Sequence, residues 1–386
     1  MTIRFVMCQP TLAYYRVAVF RELASRDGID FKLIYAEQAG VRNVEPEGFE
    51  AEFVPLKHLV PGTRKILWYP PHLSATDGRS ADVVCLPWNP YFLSVFPALR
   101  RARRNGVGTF LWGHGYSKNE RGWRTRVRRW MSTKADAVIF YNNLIRDRSV
   151  AEGWLEDERA FVALNALDQT PIQAARDAWL TDPAKLAAFQ RDHGIAEGPN
   201  VIFVSRLLRD NRADVLIDAA AKLKDTNPTL KTIIVGSGEA EDELRAQAKS
   251  LGIEDRVVFT GAIWGEDAIA PWYLSSHAFV YPANIGLSIL HAMGYGVPVI
   301  TSDRTETQNP EIEALRDTEN GRLYPHLDAD ALARTISEVV SDEAIRPKMA
   351  QAAHDTATQK FTVKRMADGF EAAIRHCHEQ AQKRKG

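Results

Sequence analysis

Short apolar runs separated by longer amphipathic stretches set the limits on what this chain can fold into. Residues 3–8, 31–35, 83–86, 109–112, 137–141 and 161–164 are runs of the buried-strand type. Stretches with helical spacing lie between most of them, at 15–25, 91–104, 123–134 and 143–152. In the first of these, Val17, Phe20, Leu23 and Ala24 share one face. Uninterrupted apolar strands alternating with amphipathic helices predict a parallel sheet covered by helices on both faces.

The alternation restarts after a polar, helical stretch at 168–193. Strands are expected at 200–204, 232–235, 256–260, 278–281 and 298–301, with helices at 213–223, 242–251 and 287–294. From residue 328 onward the chain reads as helical. The expected fold class is therefore α/β, with two facing Rossmann-like doubly wound domains and a deep inter-domain cleft. Expected boundaries are 1–170 and 180–360, with 361–386 a C-terminal helix crossing back to the first domain. Ligands of open parallel sheets sit beyond the carboxyl ends of the strands, so the site is expected in that cleft.

Several classes are set aside by composition. Lys+Arg and Asp+Glu balance at 49 each, so no global charge points to nucleic acid. Cys8, Cys85 and Cys377 are odd in number and far apart, which predicts neither a disulfide framework nor a zinc site, and a reducing compartment. The first twelve residues do not form a signal peptide, and no apolar run reaches the ~18 residues of a membrane span. A cytoplasmic protein is expected.

Residues 281–301, YPANIGLSILHAMGYGVPVIT, carry the clearest signal. A strand runs out at Pro282, Gly286 permits a close approach, and a helix starts near Leu287 with Ser288 in its first turn. Free backbone N–H groups and the helix dipole suit a phosphate there. An ordinary strand–helix–strand crossover has the same outline. Gly296 and Pro298 end the helix and start the next strand.

This segment resembles the donor-binding region of the family 4 retaining glycosyltransferases, in which G-L-x-x-x-E-A-M-A-x-G-x-P-V-I follows an acidic residue. Gly286, Leu287, Ala292, Met293, Gly296, Pro298, Val299 and Ile300 match. Upstream, VSRLLRDNRADVLI at 204–217 resembles G-R-L-x-x-x-K-G-x-D-x-L-I. VGSGE at 235–239, with Gly236, resembles V-G-x-G-P/E. VFTG at 258–261 and PEIE at 310–313 match two further segments in order. The resemblance covers roughly residues 200–325. It implies a GT-B fold and a nucleotide-sugar donor, UDP- or GDP-linked, held by the second domain. It also implies no cofactor beyond that co-substrate and no metal, with retention of anomeric configuration.

Carried over residue by residue, the resemblance gives Arg206 the donor diphosphate, which a guanidinium can grip through two oxygens. The family lysine is replaced by Asn211. Arg209 or Arg212 would then bring positive charge from a shifted register, or both are solvated loop charges. The family's two glutamates, eight positions apart, correspond to Ala283 and His291. His291 could hydrogen-bond a ribose or pack inside its helix. Some members share the G-L-S-x-x-H-A-M variant, and Glu311 and Glu313 are the candidate replacement carboxylates.

In the first half, WGHG at 112–115 presents His114 between glycines after a strand. The family places a histidine here against the donor sugar, so His114 joins Arg206 and Glu313 as a catalytic candidate. Tyr15 and Arg16 resemble the Y-R-x-x-x-F opening of one branch and are expected on the acceptor side. Asn165 to Asp168 resemble N-x-x-D at the domain junction, with helix capping by Asp168 the alternative.

Residues 100–134 form a basic stripe: Arg100, Arg101, Arg103, Arg104, Lys118, Arg121, Arg124, Arg126, Arg128, Arg129 and Lys134, against Glu120 alone. Trp123, Val127 and Trp130 are interleaved at helical spacing. Such a helix can lie on an anionic membrane surface, which would suit a lipid-linked or glycan acceptor, or it is a solvated helix whose tryptophans pack on the sheet. No nucleic-acid motif accompanies it, and no nucleic-acid partner is expected. The expected role is sugar transfer in cell-surface polysaccharide or lipopolysaccharide synthesis, peripheral to the inner face of the plasma membrane. A nucleotide-sugar 2-epimerase and a non-catalytic scaffold are the alternatives.

Overall fold

The computed structural model describes residues 2–38, 40–60, 66–116 and 122–386. Lys118, Glu120 and Arg121 of the basic stripe lie outside the described residues. The chain forms two compact units, Met1–Ala166 with Val363–Gly386, and Leu167–Thr362.

In the first unit the strands are β1 (Ile3–Gln9), β2 (Ile29–Tyr35), β3 (Glu50–Phe53), β4 (Lys57–His58), β5 (Leu67–Trp68), β6 (Val83–Pro87), β7 (Gly108–Trp112), β8 (Ala137–Phe140) and β9 (Ala160–Val162). Seven of them make one parallel sheet in the order β3-β2-β1-β6-β7-β8-β9. β4 and β5 form a separate antiparallel pair. The strands β6, β7 and β8 are wholly buried and apolar but for Thr109, and β1 is buried except at Arg4 and Gln9, as a sheet covered on both faces requires.

One face is covered by helices Val95–Arg104 and Gly122–Ser132, through Val95, Ala98, Leu99, Ala102 and Met131. The other is covered by helix Val17–Ala24 and by helix Val363–Lys383, which brings Met366, Phe370, Ile374 and Cys377. The Phe370 ring meets Trp112 edge-on at 4.9 Å. Gly369 lets this last helix touch the sheet backbone. A Cβ there would sit 2.1 Å from the Val162 carbonyl oxygen. Arg26 ties the two helices on this face together, pairing with Asp368 at 2.8 Å and Glu371 at 3.3 Å.

In the second unit, β10 (Asn200–Val204), β11 (Lys231–Val235), β12 (Val257–Gly261), β13 (Ala278–Tyr281), β14 (Val299–Ser302) and β15 (Gly321–Tyr324) form a parallel sheet ordered β12-β11-β10-β13-β14-β15. Helices alternate with the strands, including Ala213–Lys222, Glu241–Ser250, Glu266–Leu274, Ser288–Gly294 and Ala329–Ser341.

Some local expectations shift. The polar stretch at 168–193 is two helices, Thr170–Leu180 and Pro183–Asp192, divided where Asp182 caps the second by accepting from the Lys185 N–H at 2.9 Å. The helix expected from Leu287 starts at Ser288 and has seven residues. Asp168 lies one position before the cap of its helix and accepts from the Thr170 N–H at 3.0 Å. The three cysteines are free and fully buried. Among the described residues no helix is long and apolar enough to cross a membrane.

Candidate functional site

The strand order of the second unit reverses between β10 and β13, the topological switch point at which ligands of such sheets bind. The residues just past these two strands form a polar network. The Ser205 hydroxyl oxygen accepts from Tyr281 Oη at 3.0 Å and from Asn211 Nδ2 at 3.1 Å. Asn211 Nδ2 also donates to the Arg206 carbonyl at 2.9 Å, and Asn211 Oδ1 accepts from Asn284 Nδ2 at 3.2 Å. Burial pushes the Tyr281 phenol up to about 12, so it acts as a fixed donor.

The turn after β13 is held from beneath. Gln308 Oε1 accepts from the Ile285 N–H at 2.7 Å, and Asn309 Nδ2 donates to the Asn284 and Ile285 carbonyls at 3.1 and 3.0 Å. Gly286, Leu287 and Ser288 follow this turn and are half-buried. On the other side of β10, Gly236 has φ +143°, and a Cβ there would lie 1.8 Å from the Ser205 carbonyl oxygen. Glycine is therefore what lets the turn after β11 press against Ser205 and fix the start of the Arg206 loop.

Three arginines border this network, and they differ in what engages them. Arg209 is 63% exposed and pairs with Glu243 at 2.5 Å and Glu239 at 3.9 Å. Arg212 sits at a left-handed φ of +56° and grips Asp214 through Nε at 2.9 Å and Nη2 at 2.7 Å. Arg206 is exposed at the strand end, and among the described residues no carboxylate pairs with it. Asn211 is 4% exposed, with both ends of its amide engaged in the network. It positions the β10 and β13 loops and carries no charge.

His291 faces a carboxylate that the sequence patterns did not single out. His291 Nε2 lies 2.8 Å from Glu266 Oε2, and Tyr295 Oη donates to the same oxygen at 2.7 Å. Tyr295 stacks on Tyr273 with centroids 5.0 Å apart. Burial alone would raise the Glu266 carboxyl, but the bonds from His291 and Tyr295 and the His291 charge outweigh it, and the carboxyl is held below its ordinary range. Glu311 is buried in the turn Pro310–Ala314, and Glu313 is half-buried in the same turn.

In the first unit the order reverses between β1 and β6. Tyr15 and Arg16 follow β1. Arg16 is 8% exposed; its Nη1 donates to Asn165 Oδ1 at 2.7 Å and its guanidinium lies 4.8 Å from the Trp112 ring. Cation–π contact with Trp112, Tyr15 and Tyr141 offsets part of the cost of burying this charge. His114, after β7, is exposed and stacks on Tyr141 at 4.5 Å. Tyr15, Arg16 and His114 thus gather around Trp112 and Tyr141 at the carboxyl edge of this sheet.

A cavity of about 390 Å³ in the same unit opens at the opposite edge, among Thr109, Asp136, Arg159, His376 and Arg384. It lies at the amino ends of β7, β8 and β9, and its Arg159 and Arg384 already pair with Glu156 and Asp136. The carboxyl edge of each sheet, taken by itself, is where its candidate site residues lie.

Residues 187–356 match the family described as Glycosyl transferases group 1. The lipopolysaccharide core biosynthesis glycosyltransferase LpsE of Rhizobium meliloti is 30% identical over 178 residues, 45% of this chain and 49% of LpsE. The GDP-mannose-dependent alpha-(1-6)-phosphatidylinositol monomannoside mannosyltransferase of Mycolicibacterium smegmatis is 27% identical over 262 residues, 64% of each chain. The chain thus spans about half the length of the first relative and just under two thirds of the second. Among solved structures, Anabaena HepE in complex with UDP superimposes with a TM-score of 0.71 at 19% identity, covering 97% of this chain and all of HepE. The fold is GT-B, built from two parallel-sheet Rossmann-like domains.

Proposed function

We propose that this chain is a glycosyltransferase that moves a hexose-type sugar from a nucleoside-diphosphate donor to a hydroxyl of a glycan or lipid-linked acceptor. We place it in the cytoplasm, at the inner face of the plasma membrane, in polysaccharide or lipopolysaccharide synthesis. The group 1 match over 187–356 and the relatives' sugar-transfer names support the reaction class. The observation that carries the site is Arg206, the one of three neighbouring arginines without a paired carboxylate among the described residues, held at the switch point of the second unit.

In this reading the bond between the anomeric carbon and the diphosphate oxygen breaks, and its electron pair leaves with the diphosphate. Arg206 meets the growing negative charge through two N–H groups. The acceptor oxygen forms the new bond on the same face of the sugar, with retention, and passes its proton to the departing diphosphate oxygen. No strong protein base and no metal are invoked. The Ser205–Asn211–Asn284 network keeps the two loops in register, and His291 with Glu266 offers partners for ribose hydroxyls. His114 is the first unit's candidate for holding the donor sugar.

Thermal-shift measurements with UDP, GDP, ADP, dTDP and CMP test this reading. Stabilisation by one diphosphate, lost in Arg206→Ala, is the expected result. At about 100 times Kd the shift corresponds to roughly 2.7 kcal/mol. A folded sample that no nucleotide stabilises would overturn the reading.

A further inference from the structure

We infer that the carboxyl edge of the first unit's sheet binds an acidic sugar, and that Arg16 takes its negative group. Among the described residues Arg16 is the one buried arginine or lysine, at 8% exposure. A guanidinium stays charged when it leaves water, so it needs a counter-charge or a full set of acceptors. Two less buried arginines of the same unit have both. Arg26 meets Glu22, Asp368 and Glu371 at 2.9, 2.8 and 3.3 Å. Arg159 meets Glu156 and donates to the Ser132, Ala135 and Asp136 carbonyls.

Arg16 meets no carboxylate among the described residues. Its Nη1 donates to Asn165 Oδ1 at 2.7 Å and lies 3.5 Å from Met366 Sδ, while Nε and Nη2 have no acceptor among the described residues. The rings of Tyr15, Trp112 and Tyr141, at 5.0, 4.8 and 5.4 Å, attract the charge through their faces and leave the edge of the guanidinium unserved. Trp112 adds a further donor, since its Nε1 is buried and has no partner. Donors in excess, with one amide oxygen to serve them, mark a place suited to an anion.

The aromatic neighbours indicate what carries the anion. Arg16, Trp112, Tyr141 and Asn165 end or follow β1, β7, β8 and β9 at their carboxyl ends. Tyr14, 70% exposed, stands edge-on to Tyr15 at 5.5 Å, and the exposed His114 stacks on Tyr141 at 4.5 Å. Ring faces around a few fixed polar groups suit a pyranose, whose C–H face packs on an aromatic ring while its charged substituent reaches the guanidinium. That substituent is a carboxylate, as in a uronic acid, or a phosphate ester; the guanidinium fork fits either.

This site deepens the proposed function by giving the acceptor a chemical class, and it rests on that reading only for the sugar's role as acceptor. Binding is therefore measured on the full chain without nucleotide, so that a failure here and a failure of the donor site are read from different ligands. The Arg16 Nε–Hε resonance, assigned as the signal missing in Arg16→Met, is followed by NMR during titration with methyl glucuronide, glucose 6-phosphate and methyl glucoside. A saturable shift with the glucuronide or the phosphate, and none with the neutral glucoside, is expected; which of the two acts names the negative group. Affinity for the acting sugar, read by saturation transfer, should fall about tenfold or more in Arg16→Met. Melting of the same variant separates binding from a merely structural role. A buried charge without a counter-charge is held at a cost to the fold, so Arg16→Met should melt at the same temperature or higher. A lowered Tm would make Arg16 a clamp between Asn165 and Met366 and overturn the inference. So would a response to all three sugars alike, or to none.

Discussion

The Nε2 of His291 lies 2.8 Å from a Glu266 carboxylate oxygen, and since an ionised carboxylate only accepts, the hydrogen between them belongs to the imidazole. Tyr295 donates to the same oxygen, so Glu266 is fixed by two donors on one side. Because the folded carboxyl is held below its ordinary range, its stabilising contribution is complete above the unfolded glutamate value. It is lost as pH falls through the folded one. Glu266→Gln should cost about 1 kcal/mol near neutral pH and flatten the acid limb of a Tm–pH profile.

The three arginines beside the switch point should separate in a nucleotide-binding assay. Arg206→Ala should weaken diphosphate affinity roughly 10- to 100-fold, the range of a charge-assisted bond. Arg209→Ala should leave it unchanged, since that side chain is occupied by Glu243.

Arg212→Gly should be nearly neutral for folding as well as for binding. Glycine relieves the left-handed backbone, worth about 1 kcal/mol, while the lost Asp214 pair is a half-exposed one worth about 0–1 kcal/mol. Calorimetric melting and nucleotide titration of the same sample check both halves.

His72 lies fully buried against Ser94, its Nδ1 2.9 Å from the hydroxyl oxygen, and burial pushes the imidazole down to about 3. The unfolded chain takes up the proton first, so stability should decline as pH falls from about 6.5 toward 3. His72→Phe should melt lower at neutral pH and show a shallower slope across that window.

Gly369→Ala should destabilise the first unit although alanine is the better helix former by about 1 kcal/mol. The added Cβ would meet the Val162 carbonyl at 2.1 Å and push the helix off the sheet. A loss of about 1–3 kcal/mol is expected, read as a lower Tm; an unchanged or higher Tm would count against the described packing.

The central strands were legible because burial on both faces favours apolar residues, as in β6 and β8. β3 was not, since it reads Glu-Ala-Glu-Phe and stands at the sheet edge, where Lys32 pairs with Glu50 and Glu52. Sequence spacing also located the Arg206 and Gly286 loops. It could not show that Asn211 is buried, because its partners Ser205 and Asn284 meet it only through the order of β10 and β13. Glu266 was missed for the same reason: it stands 25 residues before His291. Helical periodicity put Trp123, Val127 and Trp130 together, yet it cannot say which edge of a stripe the sheet takes. Met131 and Val127 occupy that side, and the tryptophans are left half in water.

Helix Val363–Lys383 closes a sheet whose strands all precede residue 167. A ribosome therefore delivers the whole of the second unit before the first can cover its second face. Until then Phe110 and Trp112 have no Phe370 to pack against, and part of an apolar sheet face stays open to water or to a chaperone. The unit begun first is the unit finished last, and a nonsense or frameshift lesion near residue 363 would strand it half built while leaving the second unit's own residues intact.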